Sequence, residues 1–113
     1  MSKRAATKPA DWPRGPVEIG LPSGAFVRAY RPNLFTWQKT GQIPDEVWAC
    51  IVASARDEEI ELADKVAAIN WIICKCVAEP EITIVPREGC LCVDEIDDLD
   101  REYLMTMLGI GLG

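Results

Sequence analysis

Residues Ile60 to Val77 read IELADKVAAINWIICKCV, the longest stretch of the chain with helical periodicity. Leu62, Val66, Ile69, Ile73 and Cys76 follow one another at steps of four and three, so on a helix they form one apolar stripe. Ala63, Ala67, Trp71, Ile72 and Val77 widen that surface, and from Val66 to Ala78 only Asn70 and Lys75 are polar. A helix that is apolar on several sides has to be covered on several sides, by the rest of a small chain, by another subunit or by a bound partner. The expected fold follows from this helix: mainly α with a small N-terminal β-hairpin, α+β in class, as a compact bundle of about four helices around one central helix. Association is the kind of work it suggests.

The composition narrows the function further. With 113 residues, 49% hydrophobic and 27% charged, the chain has room for one domain and a modest core. A net charge of −6 argues against nucleic acid as a partner, because phosphate contact needs a basic face. No apolar run of about 20 residues is present and the first residues lack an apolar signal core, so neither a membrane span nor secretion is expected, and the chain is read as intracellular. Histidine is absent, which removes the commonest general base and the commonest metal ligand. The five cysteines, an odd number, are read as reduced thiols.

Outward from the central helix, residues 1–16 carry Lys3, Arg4, Lys8 and Arg14 among three prolines and read as a flexible basic tail. Residues 17–31 alternate apolar and polar positions on both sides of Pro22-Ser23-Gly24, the signal of a hairpin with Phe26, Arg28 and Tyr30 on one face of its second strand. Residues 32–110 are expected to form a helical domain. A short helix opens after Pro32 and stops at Gly41, and a second, capped by Asp45, buries Val47, Trp48, Ile51 and Val52 as far as about Ala55. Pro80 is read as the end of the central helix. EITIVP at 81–86 is extended and Cys90 to Ile96 alternates. A last helix, capped by Asp98 or Asp100, runs through Leu108 with Tyr103, Leu104, Met107 and Leu108 buried. Residues 111–113 read as a frayed end.

No catalytic or cofactor motif appears. Cys74-x-Cys76 and Cys90-x-Cys92 could in principle supply four thiolates to zinc, but on a helix Cys74 and Cys76 point about 200° apart. Small buried side chains fit their apolar surroundings better. The acids Asp94, Glu95, Asp97, Asp98, Asp100 and Glu102 lack the glycine-containing loop and distal glutamate of a calcium site and read as a solvated loop and cap. The remaining candidates are partner-binding residues on the apolar helices: Trp48, Trp71 and Ile72.

The order LPSG, then RPNLFTWQKTGQIPDEVW, then a long helix ending CVAEPEI, then VDEIDDLDREYLM, resembles the tail assembly chaperones of long-tailed, siphovirus-type bacteriophages over residues 17–110. The resemblance implies a non-catalytic protein of the host cell cytoplasm without cofactor. Such a protein binds the tape-measure protein, keeps it soluble and helps recruit tail tube protein during tail morphogenesis. A homo-oligomer, with neither nucleic acid nor membrane as partner, is the expected form. The alternative reading is a structural virion component, a head-tail connector or minor tail protein. A small zinc-binding module using the four paired cysteines ranks behind it.

Overall fold

Val17 and Ile19 alternate with Glu18 and Gly20, and across the turn Val27 and Ala29 alternate with Phe26 and Arg28, a period of two that suits antiparallel strands with one apolar face. In the computed structural model, which describes residues 5–110, they form β1 (Val17–Gly20) and β2 (Phe26–Ala29), in register from Val17 opposite Ala29 to Gly20 opposite Phe26. Ile19, Val27 and Ala29 are buried, while Phe26 and Tyr30 stand on the solvent side. On that side Arg28 lies between Glu18 and Glu79, at 3.0 and 2.9 Å. Ahead of the hairpin, Pro9–Asp11 makes a single exposed 3-10 turn. The expected fray at 111–113 lies outside the described residues.

Four α-helices follow among the described residues: α1 (Leu34–Lys39), α2 (Asp45–Ala55), α3 (Leu62–Cys76) and α4 (Asp98–Met107). Gly41, with φ at 71°, takes the left-handed conformation just past α1, as a glycine stop does. Asp97 caps α4 by accepting the Asp100 N–H at 2.8 Å, one residue ahead of the expected cap.

The mainly α bundle is corrected. Helix makes up 45% and strand 14% of the described residues, and the architecture is α+β, with a three-stranded antiparallel sheet carried on four helices. The decisive departure is at the end of α3, which stops at Cys76 rather than Pro80. Val77–Glu79 turns out as β3 and pairs antiparallel with β2, giving the order β1-β2-β3. The apolar content of CVAE suits a helix equally well, but the open edge of β2 offers the backbone a ladder that a helix end cannot match. The Tyr30 N–H donates to the Cys76 carbonyl at 2.8 Å, so the sheet takes up one of the helix's terminal acceptors. A second, parallel pair joins β4 (Ile82–Thr83) to β5 (Leu91–Cys92), within segments read as extended and alternating.

The core lies between the sheet and the helices: Ile19, Val27, Ala29, Ile43, Val47, Ile72, Ile73, Cys76, Val93, Leu104 and Leu108 are all buried. Two faces are rotated from their expected positions. On α3 the buried line is Ala68, Ile72 and Cys76 with Ile73 beside it, whereas Leu62 at the head of the expected stripe is 75% exposed. On α4 the buried side chains are Asp100, Leu104 and Met105, and Tyr103 and Met107 are exposed. Both rotations have one origin: each helix carries more apolar positions than one face can hold, so the tertiary contact chooses among them.

Candidate interaction surface

Leu62, Val66 and Ile69, the first half of the expected stripe, come to lie along an open groove between α3 and α4. Met105 and Ile110 face them, and the groove has a volume of about 440 Å³. Spacings of four and three make this line of α3 continuous, which is the shape that the apolar face of another helix fills. Lys65, Asp98, Arg101 and Glu102 also line the groove, so it offers both signs of charge beside its apolar floor. Arg101 is held in place by donating to the carbonyls of Val93 at 2.9 Å and Ile96 at 3.3 Å.

A second apolar feature surrounds α1. Trp37 meets Trp71 edge to face with ring centres 5.7 Å apart, and Phe35 meets Trp48 in the same manner at 6.2 Å. Lys75 Nζ stands 5.8 Å from the Trp37 ring and also donates to Gln42 at 3.3 Å. Phe35 is 82% exposed although it sits in this cluster.

These positions redistribute the sequence candidates. Trp48 and Trp71 are half-buried and each already has an aromatic neighbour, leaving part of each ring open. Ile72 is 0% exposed and serves the core, so it is withheld from any partner; its side chain points to the opposite side of α3 from the open small-residue face at Ala63 and Ala67. Sequence reasoning gave Leu62, Val66 and Ile69 to the core; Ile69 packs against it partly buried, Val66 is half-buried, and only Leu62 is exposed. The one available hint for Leu62 was the excess of apolar positions on this helix over the partners a short chain can supply.

Cys74 lies near Cys92, but the four candidate thiols do not gather at one point. Among the described residues no group of three or more cysteine, aspartate or glutamate side chains is arranged to hold a metal ion. Cys50 on α2 and Cys76 at the end of α3 are both buried, and the Cys50 thiol reaches the Asp64 carbonyl at 3.6 Å. Burial pushes the Cys76 thiol up to about 11, the nearby Lys75 charge acting weakly the other way. Cys74 is raised as well, by burial first and by the neighbouring Cys92 second. Cys90, partly open, accepts from Arg87 at 3.1 Å.

The acidic run contains one residue that does not behave as a solvated loop. Asp100 is 6% exposed and accepts from both the backbone N–H of Ser23, at 3.0 Å, and its hydroxyl. Two segments distant in sequence, LPSG and DDLD, are thereby joined, fastening the hairpin turn to α4. Comparisons of the chain with protein-family models, with curated proteins and with solved structures gave no match.

Proposed function

We propose that this protein is a phage tail assembly chaperone that binds and solubilises apolar helical segments of the tape-measure protein in the host cytoplasm during tail morphogenesis. The observation that carries the reading is the open groove between α3 and α4, with Leu62 exposed and Val66 and Ile69 only partly covered by the chain's own fold. An elongated helical client presents apolar residues at the same spacing, and a groove with charges of both signs at its side accommodates the polar flanks of such a helix. The net charge of −6 favours a binder that keeps an aggregation-prone client in solution. The resemblance over residues 17–110 supplies the client, and the tail tube protein is the second partner it implies.

The test uses calorimetric titration with a synthetic amphipathic helical peptide bearing leucines at steps of three and four. The unaltered chain binds it, and Val66→Asp, which puts a charge on the groove floor, weakens binding by about tenfold or more while the circular dichroism spectrum is retained. Equal binding by a folded Val66→Asp chain would show that the groove is not the site.

A further inference from the structure

We propose that the pocket between the chain entering β1 and the chain leaving β2 binds a short acidic peptide segment. Arg14 and Arg31 hold its carboxylates, and its neighbouring side chains lie on Trp12 and Tyr30. The register of the hairpin builds the site. Val17, the first residue of β1, stands opposite Ala29, the last of β2, so residues 12–16 and 30–33 leave the same end of the ladder side by side. Trp12 and Arg31 each precede a proline, which drives their backbone to the extended region; Trp12 has φ −63° and ψ 130°. The space between the two stretches is about 370 Å³, lined by Trp12, Arg14, Tyr30, Arg31 and Asn33 together with Pro13 and Pro32.

The charge of the pocket selects the ligand. The chain carries 18 acidic residues against 12 basic ones, yet no acid lines this pocket. Arg28 is held between two glutamates and Arg87 against a third, whereas neither Arg14 nor Arg31 has an ion-pair or hydrogen-bond partner among the described residues. Asn33, at the N-cap of α1, does not spend its side chain on the helix. Two free guanidinium forks suit carboxylates, and the open rings of Trp12 and Tyr30, 59% and 47% exposed, offer flat apolar faces beside them. All the lining residues except Pro32 are exposed, so a small anion would stay half in water; a peptide crossing the pocket gains from the rings and the arginines together. A nucleic acid needs a longer track of cations, and beyond these two the net charge of −6 repels a polyanion. The site shares no residue with the groove between α3 and α4, so it does not rest on the chaperone reading.

The experiment is a fluorescence-anisotropy titration of the full chain with a labelled, blocked peptide carrying two glutamates beside a phenylalanine, and with its glutamine counterpart. The expected result is saturable binding of the glutamate peptide, about tenfold tighter than the glutamine peptide and weakened by added salt. Arg14→Gln combined with Arg31→Gln is expected to bring both peptides to the same weak affinity, and Trp12→Ala to weaken both. These positions are exposed, so the variants keep the fold, which circular dichroism checks. Val66→Asp is expected to bind the glutamate peptide as the unaltered chain does. No binding of either peptide overturns the proposal, as does equal binding of the two or undiminished binding by the folded double variant. Tighter binding of a single-stranded thymidine oligonucleotide, lost in the same double variant, overturns the assignment to a peptide.

Discussion

Asp100 shows how much one side chain can organise. Its neighbours Asp97, Asp98 and Leu99 are exposed, yet it is buried and takes both polar hydrogens that Ser23 offers. Replacing it with alanine removes both charge-assisted bonds and leaves the donors of the exposed Ser23 to water, so the hairpin turn loses its tie to α4. Asp100→Ala is expected to lower unfolding free energy by about 2 kcal/mol in urea titration, with amide protection in the hairpin turn lost first. Cys76 makes a second residue-scale prediction. Burial favours its protonated thiol in the folded state, so its pKa is raised from the ordinary 9.0 to about 11. The folded chain then holds a proton that the unfolded chain gives up. The corresponding stability is complete below pH 9 and is lost as pH rises toward about 11. Urea midpoints measured across that range are expected to fall, and to fall less steeply in Cys76→Ala. The slope is not abolished, because burial raises Cys50 and Cys74 as well.

Among the elements, α1 is the least secured. It has six residues, none of them buried, and a helix of that length is unstable by itself in water. What holds it are the aromatic edges: Trp37 on Trp71 of α3, and Phe35 on Trp48 of α2. Trp37→Ala is expected to cost roughly 2 kcal/mol, less than a fully buried tryptophan because its ring is half-open. In hydrogen exchange α1 should open well before α3 does. The end of α3 and the strand that follows carry the opposite lesson. Cys76 and Val77 are adjacent, both buried and both apolar, and nothing local marks the change from helix to strand between them. The change is made by β2, which lies nearly fifty residues earlier in the chain.

On the scale of the whole molecule, the fold leaves two apolar features partly open, the groove between α3 and α4 and the aromatic cluster around α1. They share no residue, so the Val66→Asp variant tests the groove alone. By itself the sequence determined what local chemistry can determine. The alternation and turn of residues 17–30 define the hairpin, proline and glycine punctuation bounds α1, and the apolar helical period places α2, α3 and α4 within a few residues of their ends. Tertiary structure alone decided which apolar positions are covered, where α3 gives way to β3, and that Asp100 is an anchor. The physical reason is common to all three: a helical or strand period reports the surfaces a segment has available, but burial depends on which distant segment arrives to cover them. Leu62 and Ile72 were equally apolar in the sequence, and only the packing of the sheet and α4 left one in the open and placed the other in the core.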